Sequence, residues 1–113
     1  MAVLRVCKYG EKILRKKTRP VNFAAEKEKL RPIIQDMFET MAAANGVGLS
    51  ANQVGLDLRL SVILIPSEEG PGVKLTLINP EIVSAEGRQE GGEGCLSFPG
   101  LYEPVRRALK VKV

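Results

Sequence analysis

EKLRPIIQDMFETMAAANG, residues 28–46, is the stretch that decides the fold. Leu30, Ile33, Ile34, Met37, Phe38, Met41 and Ala44 recur at spacings of three and four, which gathers them on one face of a helix. Pro32 lacks an amide donor and suits only a helix's first turn, so the pattern predicts a start between Glu28 and Arg31 and a span of 28–44. Asn45-Gly46 follows the last periodic residue and supplies a left-handed stop. The methionines and phenylalanine on this face read as core rather than as a cofactor box.

Outward from the helix the signals change period. After the loop GVGLSANQVG (46–55), LRLSVILI (58–65) is short, β-branched and closed by Pro66, which predicts a strand. SEEGPG (67–72) is a turn-rich connector, and VKLTLIN (73–79) is a second strand ended by Pro80. Residues 81–86 continue extended, GRQEGGEG (87–94) is flexible by composition, and ALKVKV (108–113) opens another strand by strict alternation. Residues 3–7 fit a short strand, and Thr18-Arg19-Pro20 breaks what precedes it. The class is therefore α+β: an antiparallel or mixed β-sheet packed on one long helix, in a single domain over 1–113.

Composition narrows the function classes. With 44% hydrophobic and 27% charged residues the chain has the balance of a globular protein, and no apolar run reaches the length that spans a bilayer. The start, MAVLRVCKYG, has neither the apolar core nor the cleavage site of a secretory signal. Of the net charge of +4, residues 1–20 carry +6 and the remainder −2. A basic arm of that kind either faces RNA or forms a solvated rim. Without interleaved aromatics or an RNA motif the rim is the better reading, and no specific nucleic acid is expected. Cys7 sits in an apolar stretch and Cys95 among glycine and acid, so no disulfide framework is indicated and a reducing cytoplasm is the natural setting.

Two stretches carry chemistry. In GVGLSANQ (46–53) the glycines follow a helix instead of preceding one, and no lysine comes after them, so a phosphate cradle is a poor fit. Gly46 and Gly48 suggest a backbone that something approaches closely, with Gln53 as an amide donor, although a helix stop and a tight turn explain the loop equally well. In EGCLS (93–97), Cys95 has glycine and acid around it. A nucleophile needs a base, and the chain has no histidine; acidic neighbours Glu90 and Glu93 also disfavour a free thiolate. Coordination reverses that logic by deprotonating the thiol, so metal ligand is the best functional reading of Cys95. Against it stands the plain reading that one cysteine by itself is more often inert.

Taken together, the two stretches resemble a known family. GVGLSANQ resembles the GxGLAAxQ motif of the peptide deformylases, and EGCLS matches their second motif letter for letter. VNFAAEKEKLRPIIQDMFETM (21–41) resembles the family's first helix and YGEKILRKKTRPV (9–21) its N-terminal segment. Ser50 and Asn52 depart from the usual alanine and threonine, both by small polar residues. The resemblance implies a bacterial-type or organellar hydrolase that removes the formyl group from the N-terminal methionine of new polypeptides. It implies a divalent metal, Fe(II) first and Zn, Ni or Co as alternatives, with Cys95 as one ligand and two histidines of a helical HExxH motif as the others. It also implies that the Gln53 side-chain amide and the Leu96 backbone N–H donate to the oxyanion. Val47, Gly48 and Gly94 would give backbone hydrogen bonds to an extended N-formyl-methionyl peptide. The implied partners are nascent chains close to the ribosome, with no membrane.

The third motif is not among these residues, since the chain has no histidine. The expectation is therefore an N-terminal portion of a deformylase that is inactive and holds no metal by itself. A non-catalytic binding or swapping module of the same fold is the competing reading.

Overall fold

A computed structural model describes residues 2–113. Its long helix, α1, runs Phe23–Ala43, five residues earlier than the proline suggested. The start is set by Asn22, whose side chain accepts from the Ala25 amide at 3.2 Å while its own amide donates to Glu26 Oε2 at 2.7 Å. Two of the free amides at a helix N-terminus are thereby satisfied. Pro32 lies inside the helix on its exposed face, where water can serve the carbonyl that the ring leaves unpaired. At the other end Asn45, at φ 55°, takes the left-handed position rather than Gly46, and Gly46 N closes onto Met41 O at 2.9 Å.

The predicted face is the buried one. Leu30, Met37 and Met41 are sealed in the core, with Ile33, Ile34 and Phe38 packed against it, while Ala44 is exposed at the helix end. Opposite them stands a three-stranded antiparallel sheet of β1 (Gly48–Ser50), β2 (Leu60–Ser67) and β3 (Gly70–Ile78), in that order. Leu49 of β1 pairs with Val62 of β2, and both are buried, so one layer joins helix and sheet. β2 and β3 form the hairpin around Glu68-Glu69, longer at the turn than the sequence pattern suggested.

Two antiparallel ribbons complete the order: β4 (Ser84–Glu86) with β7 (Lys110–Lys112), and β5 (Gln89–Cys95) with β6 (Phe98–Arg107). The stretch expected to be flexible, 87–94, is thus mostly strand. A ladder needs backbone groups rather than side chains, and Glu93 reaches Arg107 by two bonds of 2.9 and 2.6 Å that brace the glycines. The expected strand at 3–7 is absent among the described residues. Side chains and loops take its amides instead: Leu4 N donates to Thr40 Oγ1 at 2.7 Å and Cys7 N to Gln53 O at 2.6 Å. The loop after α1 is more regular than expected, forming β1 and a 3-10 turn over Ala51–Val54. The class is α+β with every strand pairing antiparallel.

Pro32→Ala is expected to stabilise the fold by roughly 1–3 kcal/mol, because it restores a helix bond on an exposed face. Met37→Ala, at a fully buried site, is expected to cost roughly 2–5 kcal/mol. Urea denaturation of the two variants measures both signs.

Candidate active site

The helix stop and β1 carry Gly46, Val47 and Gly48 to one wall of a cavity of about 690 Å³. Gln53, on the 3-10 turn, faces it from a second side, and Gly94, Cys95 and Leu96, at the end of β5, form a third. Val47, Gly48, Gln53, Gly94, Cys95 and Leu96, with Gly46, thus line one cavity, although residues 54–92 lie between the two motifs.

Gln53 is the best-anchored side chain here. Its Oε1 accepts from the Ser50 amide at 3.0 Å, which leaves the NH2 group pointing the other way. Nε2 then stands 3.3 Å from Ser97 Oγ and 3.6 Å from Cys95 Sγ. Its backbone carbonyl accepts from Cys7 N. The orientation of the amide is thus dictated by its partners. Cys95 and Phe98 close a two-residue turn over Leu96-Ser97, which exposes the thiol and buries Ser97 to 3%.

The glycines divide by reason. At Gly46 an added Cβ would lie 3.0 Å from Leu96 Cδ1, so this glycine admits the Leu96 side chain. At Gly94 it would lie 2.6 Å from the ring of the exposed Tyr102, so a side chain there would have to displace that ring. Gly48 differs: nothing in the chain comes closer than the Val62 carbonyl at 3.9 Å. Its smallness serves no neighbour in the chain. Among the described residues β1 pairs only with β2, and at its other edge the Ser50 amide is taken by Gln53 Oε1, which leaves the Gly48 backbone open to a further strand.

The local charges differ from the sequence expectation. Arg107 binds Glu93 in two-point fashion and holds its carboxyl below the usual carboxylate range, so this acid beside Cys95 is already paired. Arg106 stands 3.9 Å from Glu90. In the basic N-terminal segment, Arg5, Arg19 and Lys16 pair with Glu11, Glu26 and Asp57. That pairing fits a structural rim. Ser50 Oγ meets Ser61 Oγ at 3.1 Å and Asn52 Nδ2 meets Ile13 O at 3.4 Å, so both departures from the motif find local partners.

Sequence reasoning missed Ser97, Tyr102 and Lys8. Ser97 is the last letter of EGCLS and was legible as part of the motif, but its hydroxyl's partner was not. Tyr102 covers Gly94 from across the ribbon, and Lys8 Nζ reaches Leu96 O at 3.1 Å from 88 residues away. No local pattern predicts either contact.

A resident metal ion is tested by the donors present. Cys95 offers one exposed sulfur, and among the described residues no group of three or more His, Cys, Asp or Glu side chains could hold an ion. The donor set of these residues alone does not fit a bound metal.

The cleft thus sets an exposed thiol and an anchored amide donor beside an unpaired strand edge on an α+β scaffold. Comparison with known proteins gives the family. The sequence profile described as Polypeptide deformylase matches residues 3–113. The peptide deformylase of Elusimicrobium minutum is 45% identical over 118 residues, covering 100% of this chain and 67% of that protein. The peptide deformylase of Aquifex aeolicus is 51% identical over 106 residues, covering 93% of this chain and 62% of its own. A crystal structure of a peptide deformylase from Legionella pneumophila superposes with a TM-score of 0.86 at 44% identity, over 96% of this chain and 62% of that one. The chain belongs to the polypeptide deformylase family, a family of metal-dependent hydrolases. It spans between half and about two thirds of the length of the curated relatives it matches. Among the described residues no helix is long and apolar enough to cross a membrane.

One consequence concerns the N-terminal segment. Glu11 accepts from Arg5 and from the Lys8 amide, which together lower its carboxyl from 4.5 to about 2. A pKa lowered on folding stabilises in full above the unfolded value, and that stabilisation is lost as pH falls through the folded one. Glu11→Gln should therefore lower Tm at pH 7, and its difference from wild type should shrink between pH 4.5 and about 2. Thermal melts across that range measure it. The group is exposed, so the shift should be small.

Proposed function

We propose that these residues form the peptide-binding and oxyanion side of a peptide deformylase, which hydrolyses the N-formyl group from the N-terminal methionine of newly made polypeptides. The observation that carries the reading is the meeting of Gln53 and Cys95, 3.6 Å apart, beside the free edge of β1. An extended peptide adding to that edge takes backbone bonds from Val47 and Gly48, and Gly48 leaves it room. Gly94 borders the opposite side of the same cleft.

With the peptide so held, the formyl group enters the corner between Gln53 and the Cys95–Leu96 turn. Hydrolysis places negative charge on the formyl oxygen. The Gln53 amide, fixed by the Ser50 N–H, is a donor that needs no reorganisation, and the Leu96 backbone N–H is the second. Cys95 is the one metal donor this cleft contributes, for Fe(II) by family resemblance, with Zn, Ni or Co as alternatives. The remaining ligands and the base that activates water have to come from elsewhere. Nascent chains emerging at the ribosome in a bacterial-type cytoplasm are the substrate source.

A binding or swapping module is the second reading, and one observation favours it. Around the β4–β7 ribbon Ile82, Val83, Leu109 and Val111 are all exposed, a surface able to take a partner.

Completion of the chain separates the two. Joined to a family segment carrying the helical HExxH motif, the protein is expected to hydrolyse formyl-methionyl peptides. Cys95→Ala should abolish turnover, and Gln53→Ala should lower kcat by roughly 10²–10³. Leu96→Ala should do less, because its amide survives. A folded, metal-loaded protein with no such activity, sedimenting as an oligomer of defined size, would favour the second reading.

A further inference from the structure

Ser97 is almost wholly buried, yet it is polar and takes no part in the reaction outlined above. A buried hydroxyl requires a partner, and this one has a specific one, Gln53 Nε2 at 3.3 Å. The other acceptor near that nitrogen, Cys95 Sγ, is farther off at 3.6 Å, exposed, and a weak acceptor. Ser97 and the Ser50 amide thus grip the two ends of the Gln53 carboxamide, Oε1 by a donor and Nε2 by an acceptor. One N–H is spent on Ser97. The second faces Cys95 Sγ on the cavity side, a weak acceptor that a stronger one can replace.

Ser97 is itself held in place by the chain's N-terminal segment. Tyr9 N donates to Ser97 O at 3.0 Å, Lys8 Nζ to Leu96 O at 3.1 Å, and Cys7 N to Gln53 O at 2.6 Å. Three consecutive residues, 7–9, therefore bridge the loop that carries Gln53 and the turn that carries Ser97. They set the distance over which the hydroxyl and the amide meet.

We propose that Ser97 is a positioning residue, whose buried hydroxyl locks the Gln53 amide in the one orientation that presents its other N–H, weakly held by Cys95 Sγ, to the reacting oxygen. The catalytic part of this inference rests on the deformylase reading; the orienting contact does not. A carboxamide held at one end only can swing about its last torsion, and small misplacement of a donor costs rate steeply. Removing the hydroxyl should act through Gln53 and not on its own account.

The test has two readouts. By ¹⁵N NMR of the chain, the Gln53 side-chain NH2 should show dispersed proton shifts that collapse toward free-amide values in Ser97→Ala while the backbone shifts of α1 stay fixed. Ser97→Thr, which keeps the hydroxyl, should retain the dispersion, and Ser97→Cys, of similar size but with a weak acceptor, should lose it. This pair decides the matter if Ser97→Ala does not fold. In the completed protein Ser97→Ala should lower kcat by up to roughly a hundredfold with KM nearly unchanged, and should add almost nothing to Gln53→Ala. Unaltered Gln53 signals, identical behaviour of the Thr and Cys variants, or an equal kcat loss with and without Gln53 would each overturn the proposal. If instead the NMR behaves as expected while Gln53→Ala costs no activity, the deformylase reading fails and the contact stands.

Discussion

The hydrogen bond from the Ser50 amide to Gln53 Oε1 is the constraint on which the cleft depends. A free carboxamide presents donor and acceptor interchangeably. Once its oxygen is taken, the nitrogen is directed toward Cys95 and Ser97, and with the Ser97 hydroxyl completing the hold the end of β1 is tied to the end of β5. The bond is local, three residues long, and forms as the chain leaves β1 for the 3-10 turn. Its effect is long-range because the neighbours of Gln53 come from three separated parts of the chain.

Support for that arrangement comes from one buried layer. Leu49 on β1 and Val62 on β2 sit between the helix residues Met37 and Met41 and the rest of the sheet, so the strand that leads into the site is anchored by the tightest part of the core. Its partner ribbon is held differently. β5 buries little, and its Cys95 end is tied by the turn over Leu96-Ser97, by the Leu96 side chain against Gly46, and by the segment 7–9. The site thus joins a well-packed wall to a thin one. Ion pairs such as Glu93–Arg107, exposed and on the thin wall, govern its local shape more than its stability.

Much of this was legible without coordinates. The 3.6-residue period of Leu30, Met37 and Met41 specifies a buried helix face because side chains on a helix return to one side at that interval. The runs 58–65 and 73–79 specify strands because β-branched residues suit the pleated surface. GVGLSANQ and EGCLS marked the residues of the cleft, since a glycine loop with an amide and a cysteine among glycine and acid are uncommon locally. The start of α1 was misjudged because the proline rule assumes a helix with no earlier cap, and Asn22 supplies one. In the glycine-rich stretch 87–94 composition reports only local freedom, whereas its order comes from β6, which follows it in the chain.

Periodicity or a short contiguous motif in the sequence was enough for the helix face, the two central strands, the family and six of the residues that line the cleft. Tertiary contacts set which groups meet the Gln53 nitrogen, why a side chain at Gly94 would meet the Tyr102 ring while one at Gly48 would meet little of its own chain, and how residues 7–9 join the two motifs. Those outcomes depend on contacts between residues about 8 to 90 positions apart, such as Lys8 with Leu96. No local pattern encodes such a distance; it closes only once residues 7–9 lie against both the Gln53 loop and the Leu96-Ser97 turn.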